Sequence, residues 1–309
     1  MRYEAPHPIP YQGSKRLLAP AILSFIAPGR FERLIEPFAG SAAITLAAAS
    51  KKLVNSCVIA DLLKPLTEIW NAILQKPDGL ADAYEEIWQQ QAIGDSTDWF
   101  NRVRAEFNKQ HDPAKLLFLL ARCVKNAVRF SNSGDFNQSP DKRRRGMHPV
   151  TMRAEILAAH KLLRNRSEVI CGDFRRVLTS ATSVDLVYMD PPYQGTSEGR
   201  DRRYIKGVQR SEMIAVLADL NKRSIEYILS YDGRCGGKEY GEPLPAHLNL
   251  HRVLLEVGRS SQATLNGRDD VTVESIYLSP GLRPQSKMPF HVHLRSFSPQ
   301  NSLFPISQQ

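Results

Sequence analysis

Val184-Asp185-Leu186-Val187-Tyr188-Met189-Asp190-Pro191-Pro192-Tyr193 is the stretch from which the fold of this chain is read. Its opening run is apolar and β-branched, as in a strand buried on both faces of a parallel sheet. The two prolines end it, because neither has an N–H to give to a sheet ladder. The chain therefore leaves the sheet with a carboxylate, the Pro191 carbonyl and an aromatic ring at the strand's carboxyl end. Open α/β sheets bind their ligands along that edge. These groups suit chemistry at the exocyclic amine of a nucleobase, whose lone pair is delocalised into the ring. Asp190 and the Pro191 carbonyl can each accept one amine hydrogen, which favours a pyramidal nitrogen. Tyr193 can stack on a base turned out of its duplex. The plainer reading is a Pro-Pro turn after a strand, with Asp190 as a cap.

The whole chain sets bounds on that reading. Its 309 residues suffice for one large α/β domain, or for one domain with a sizeable insertion. A net charge of +9 and a pI near 9.4 point to polyanionic partners such as nucleic acid. No apolar run approaches a membrane span and the N-terminus lacks an apolar signal core, so a cytoplasmic protein without membrane contact is expected. Cysteines 57, 123, 171 and 235 form no CxxC pair and no zinc-like cluster; reduced thiols and no metal are expected.

Upstream, Tyr11-Gln12-Gly13-Ser14-Lys15 precedes a short helical pattern from Leu17 to Ile26. A glycine turn and a lysine at a helix start make an anion or carboxylate site, or else a surface turn with a solvated lysine. A strand over Phe31–Ile35 is followed by Glu36-Pro37-Phe38-Ala39-Gly40-Ser41 and a small-residue helix, Ala42–Ala49. That is the first half of a nucleotide-binding βαβ unit, without the GxGxxG of a dinucleotide site. A second strand, Val54–Ala60, ends in Asp61, 21 residues beyond Gly40. Such folds hold ribose hydroxyls with an acid about 20 residues after the glycine turn. A helix N-cap is the competing role for Asp61.

From about residue 76 to 166 the pattern turns to helices and loops, with an apolar helical segment over 115–128. Residues 99–166 carry 15 Lys/Arg against 5 Asp/Glu, a net of +10, so this segment holds the chain's whole positive excess. Interleaved aromatics and the run Lys142-Arg143-Arg144-Arg145 make phosphate contact the better reading than a solvated loop. Further on, Glu168–Asp173 reads as a short strand ending in Asp173-Phe174, an acid and ring for an adenine, or a capped turn. A charged loop over 194–210 is a candidate lid or DNA clamp. A helix (Met213–Asn221) and a strand (Ile225–Ser230) continue the alternation, and 231–245 reads as a Gly- and Pro-rich loop. His251–Val257 and Thr272–Leu278 read as a hairpin around residues 259–270, before an irregular tail.

These residues, in this order, resemble the Dam-like (alpha-group) adenine-specific DNA methyltransferases, from about Pro8 to Pro280. The resemblance rests on the aromatic-x-Gly-x-Lys stretch (Tyr11, Gly13, Lys15), the glycine loop (Glu36, Pro37, Phe38, Gly40), the acid Asp61, the pair Asp173 and Phe174, and Asp190-Pro191-Pro192-Tyr193. It implies an α/β fold, a Rossmann-like class I methyltransferase sheet with an inserted, mostly helical target-recognition domain. The implied organisation is 1–75 and 167–282 for the catalytic domain, 76–166 for the insertion and 283–309 for the tail. It implies S-adenosyl-L-methionine as cofactor, held by the residues before the catalytic motif and by Asp190. It also implies double-stranded DNA as partner, contacted by Asn126, Arg129, Asn132, Asn137, Lys142, Arg143, Arg144, Arg145, Arg259 and Arg268. Tyr11 replaces a common tryptophan, and Asn126-Ala127-Val128-Arg129 departs from the usual Asn-Gly-Leu-Tyr-Arg. These departures touch DNA reading more than chemistry.

The implied reaction is direct methyl transfer to the N6 amine of a flipped adenine by a monomer. It needs no metal or protein nucleophile, because the sulfonium is already a strong methyl donor. Cytosine C5 methylation would need a cysteine beside proline, and no Pro-Cys occurs. Cytosine N4, an RNA amine, or silent DNA binding stand as alternatives.

Overall fold

The computed structural model describes residues 5–192, 208–235, 238–240, 242–259 and 271–283. The expected tail beyond Arg283, Tyr193, the loop 194–207 and Arg268 lie outside them.

The strands are β1 (Arg33–Glu36), β2 (Ser56–Asp61), β3 (Ser167–Cys171), β4 (Asp185–Met189), β5 (Glu226–Cys235), β6 (Lys238–Tyr240), β7 (His251–Arg259) and β8 (Val271–Leu278). They form one sheet in the order β3-β2-β1-β4-β5-β8-β7, with β6 on the far end of β5. β1 to β5 pair in parallel. β8 enters antiparallel between β5 and β7. All five residues of β4 are buried, as its unbroken apolar run requires at the centre of a parallel sheet. The strand order reverses between β1 and β4, which puts the ligand-binding crevice at their carboxyl ends.

Helices cover both faces. Leu34, Ile59, Leu186, Ile228 and Ile276 turn to one face, under α1 (Ala19–Leu23), α2 (Ala43–Ser50) and α3 (Lys64–Gln75). Ile35, Val58, Val187, Met189 and Leu229 alternate to the other, under α8 (Phe174–Leu178) and α9 (Arg210–Lys222). Between β2 and β3 come α4 (Pro77–Gln90), α5 (Ser96–Gln110), α6 (Pro113–Arg122) and α7 (Pro149–Leu163). Their cores, with Tyr84, Phe118 and Ile156, are continuous with Trp70 of α3 and with the sheet, so this helical segment shares one core with the sheet.

Two expectations need correction. The helix drawn over 115–128 stops at Arg122, because Cys123 turns extended and Lys125 and Asn126 are left-handed, at φ 59° and 52°. The Asn126 amide donates to the Leu120 and Ala121 carbonyls (2.8 and 3.4 Å), meeting acceptors that a continuing helix would have used. The apolar pattern runs on because Ala127, Val128 and Phe130 are buried beneath an irregular hairpin. The loop drawn over 231–245 is strand to Cys235, with β6 beyond it. A bulge between Ser230 and Gly233 breaks the residue alternation there and so hid the strand.

Candidate active site

Each part of the site follows from where a strand ends. β1 delivers Glu36, which is buried at 3% exposure and accepts from the Thr45 amide (2.9 Å) and hydroxyl (2.6 Å) of α2. Burial pushes its carboxyl up to about 8, with the nearby Asp190 charge adding to the rise. Glu36 is thus a neutral acid at pH 7, tying β1 to the start of α2.

The glycine loop between them is pinned at both ends of one residue. The Gly40 amide donates to Asp61 Oδ2 (3.0 Å) and its carbonyl accepts from Trp70 Nε1 (3.0 Å). Gly40 has φ +48°, and a Cβ there would stand 3.0 Å from the Tyr11 ring. Only glycine meets both conditions. Asp61 also accepts from the Leu63 amide (2.9 Å), while α3 is capped by Leu63; the acid braces the glycine loop rather than capping the helix. Burial raises its pKa. Tyr11 and Gly13 lie in the N-terminal segment, where Ser14 Oγ meets Ser41 Oγ at 2.9 Å.

At the end of β4 stands Asp190, 20% exposed, with Lys15 Nζ 3.1 Å from its Oδ1. Lys15, only 7% exposed, also lies 3.4 Å from Glu274 Oε2 on β8. Pro191 is buried behind the carboxylate. Asp173 caps α8 through the Arg175 amide (2.9 Å) and pairs with the Arg175 guanidinium at 2.8 and 2.9 Å, which holds its carboxyl below the usual range. Phe174 packs on Phe38 from the end of β1, ring centroids 5.0 Å apart and tilted by 37°. The sequence-predicted residues Tyr11, Lys15, Glu36, Pro37, Phe38, Gly40, Asp61, Asp173, Phe174 and Asp190 therefore gather at one sheet edge.

The basic segment is mounted beside this edge. Phe130 and Phe136 form a bridge whose rings meet edge-on at 5.6 Å and both pack on Phe107 of α5. Asn108 fixes the hairpin by accepting from the Phe136 amide (2.9 Å) and donating to its carbonyl (3.2 Å). Asn132 and Asn137 are exposed, and Arg129 is half-buried between them and the fold. Lys142, Arg143, Arg144 and Arg145 are all exposed, beside the buried Arg122, which donates to the Asp141 carbonyl. Asn126 faces inward as the helix end-piece described above, and its carbonyl accepts from the Gln12 amide (2.9 Å). One backbone hydrogen bond thus joins the hairpin to the site. Arg259 ends β7 at the sheet's far edge.

Two residues at the site escaped sequence reasoning. Trp70 reads as an ordinary core aromatic, and nothing in the sequence marks its bond to Gly40. Glu274 did leave a signal: strand alternation puts it on the same face as Ile276 and Leu278, a carboxylate where an apolar side chain is expected.

A parallel sheet reversed between β1 and β4, with an acid at each of those strand ends and a pinned glycine loop, defines an α/β enzyme-type ligand site. The family follows from residues 11–255, which match the model of the D12 class N6 adenine-specific DNA methyltransferases; the chain belongs to that family. It is 27% identical over 234 residues to the DNA N-6-adenine-methyltransferase of Escherichia phage P1, covering 72% of this chain and 29% of that one. It is 25% identical over 177 residues to type II methyltransferase M.MjaIII of Methanocaldococcus jannaschii, covering 54% and 60%. It is 24% identical over 164 residues to the DNA adenine methylase of Serratia marcescens, covering 52% and 57%. The aligned regions span between about a third and three fifths of these relatives.

Proposed function

We propose that this chain transfers a methyl group from S-adenosyl-L-methionine to the N6 amine of adenine in double-stranded DNA, with the base flipped out of the helix. The observation that carries the reading is Asp190, half-buried at the end of β4, one strand away from the pinned glycine loop of β1.

The residues at this edge fit the cofactor's chemistry. Phe38 and Phe174 offer ring surface to a purine. Asp61 keeps lone pairs for ribose hydroxyls after binding two amides. Gly13 and Gly40 take the left-handed backbone that the two turns require, Glu36 anchors the loop, Pro37 lies within it, and Tyr11 stands against Gly40. Asp173 contributes by orienting Phe174 through its cap on α8. When bound, S-adenosylmethionine supplies a methyl group on a positively charged sulfur.

Asp190 accepts one hydrogen of the adenine amine and the Pro191 carbonyl the other, so that the nitrogen lone pair points at the methyl carbon. Holding amine and methyl carbon in line supplies most of the acceleration. Pro192 fixes the turn, and Tyr193 stacks on the flipped base. Arg129, Asn132, Asn137, Lys142 to Arg145, Arg259 and Arg268 contact DNA. Phosphate contacts there position the duplex.

The test is nucleoside mass spectrometry of duplex DNA incubated with the protein and S-adenosylmethionine. N6-methyladenine, absent with Asp190→Ala, supports the reading. N4-methylcytosine in its place, or no methylated nucleoside, rejects it.

A further inference from the structure

Glu274 sits on β8, two strands from β4, yet its Oε2 lies 3.4 Å from the ammonium that pairs with Asp190. That oxygen is buried and accepts no hydrogen bond from the described residues. A buried carboxylate oxygen that serves only the fold is ordinarily hydrogen-bonded. The backbone around it is arranged for close approach. Gly233 of β5 is the register partner of Glu274, and a Cβ on Gly233 would fall 2.6 Å from the Val273 carbonyl oxygen. The bulge beside Gly233 sets this alignment.

Charge gives the arrangement a purpose. Lys15 and Asp190 alone would form a neutral pair, in which the ammonium competes for the oxygens that the amine needs. With Glu274 the three groups carry a net charge of −1. Attack by the amine forms the N–C bond, the S–C electrons stay on sulfur, and positive charge collects on the nitrogen until its proton is released to water. A preset negative charge at that point stabilises the transition state more than the ground state.

We infer that Glu274 is a positioning residue for catalysis, which shares Lys15 with Asp190 and so keeps the ammonium from occupying the oxygens with which Asp190 accepts from the amine. The inference rests on the methyltransferase reading above. Among the described residues, the titratable groups near Asp190 include Lys15 from the N-terminal segment, Glu274 from β8 and Glu36 from β1, the last held well above the usual carboxylate range by burial.

Single-turnover methylation by Glu274→Gln tests it, beside calorimetric affinities for S-adenosylmethionine and duplex DNA. The rate is expected to fall about 10- to 100-fold, with both affinities changed less than about threefold. The acid limb of the pH–rate profile is expected to move down, because the undivided Lys15 charge favours ionised Asp190. Glu274→Asp should recover part of the rate. Losses from Glu274→Gln and Lys15→Met should be less than multiplicative in the double variant, which restores the charge of −1. A Glu274→Gln rate within twofold of wild type overturns the inference. So does multiplicative loss, or a collapse of melting temperature and both affinities, which would make Glu274 structural. An inactive wild type would instead overturn the methyltransferase reading.

Discussion

Gly40 and Glu36 hold the glycine loop, Gly40 through Asp61 and Trp70 and Glu36 through Thr45. Gly40→Ala meets a left-handed backbone and the Tyr11 ring together, so it is expected to cost about 1–3 kcal/mol in chemical denaturation and to weaken S-adenosylmethionine binding more than DNA binding. Glu36 binds a proton in the folded state up to about pH 8, whereas an unfolded glutamate loses it near the ordinary carboxylate value. The folded state therefore holds the extra proton between these values. Stability should fall as pH rises across that window, by at most about 1.4 kcal/mol per pH unit, and level off above about 8. Glu36→Gln should remove this slope; an unchanged slope in urea titrations from pH 5 to 8 would show that Glu36 is not its source. At this scale the sequence was informative where chemistry is carried by residue type. Asp190 stands out by the Pro-Pro that ends its strand, and Gly40 and Asp61 by their spacing, but the partners Lys15–Glu274 and Gly40–Trp70 are contacts between distant segments and have no local pattern.

At the scale of elements, the strand ends position the chemistry and the strand beginnings hold them in place. Arg33 at the start of β1 grips Asp185 at the start of β4 with two hydrogen bonds, 3.0 and 2.8 Å, and the Thr182 amide adds a third at 2.7 Å. Burial opposes ionisation of Asp185, but these bonds outweigh it and hold the carboxyl below its usual range. Asp185→Asn is expected to cost about 3 kcal/mol, measured by denaturant unfolding, because it leaves Arg33 facing an amide in a buried site. A cost under about 0.5 kcal/mol would show that the two strands need no such clasp. Parallel strands and the βαβ order were legible, since apolar runs and glycine turns are local. The end of α6 and the length of β5 were not, because an asparagine side chain decides the first and a bulge the second. Asn108→Ala tests the hairpin mount: DNA affinity should fall while S-adenosylmethionine affinity holds.

For the whole molecule, charge is divided from chemistry. The basic excess lies in residues 99–166, while the groups proposed to handle the amine lie at the sheet edge. Replacing Arg143, Arg144 and Arg145 by alanine should lower DNA affinity and flatten its dependence on log salt by about 0.9 for each phosphate that the variant leaves unneutralised. An unchanged slope would place the duplex on another face. Sequence order shows the charge division, because residues 99–166 and the Asp190 motif are separate stretches. It did not convey that α4 to α7 share one core with α2, α3 and the sheet, which depends on packing between segments far apart in the chain. Adenine methylation dependent on Asp190 at the β4 edge is read out by methylation-sensitive long-read sequencing. Genomic DNA from cells expressing the protein is compared with DNA from cells expressing Asp190→Ala. N6-methyladenine at one short motif, present only with the intact residue, is the predicted result. Identical adenine methylation in both samples, or none in either, would contradict it.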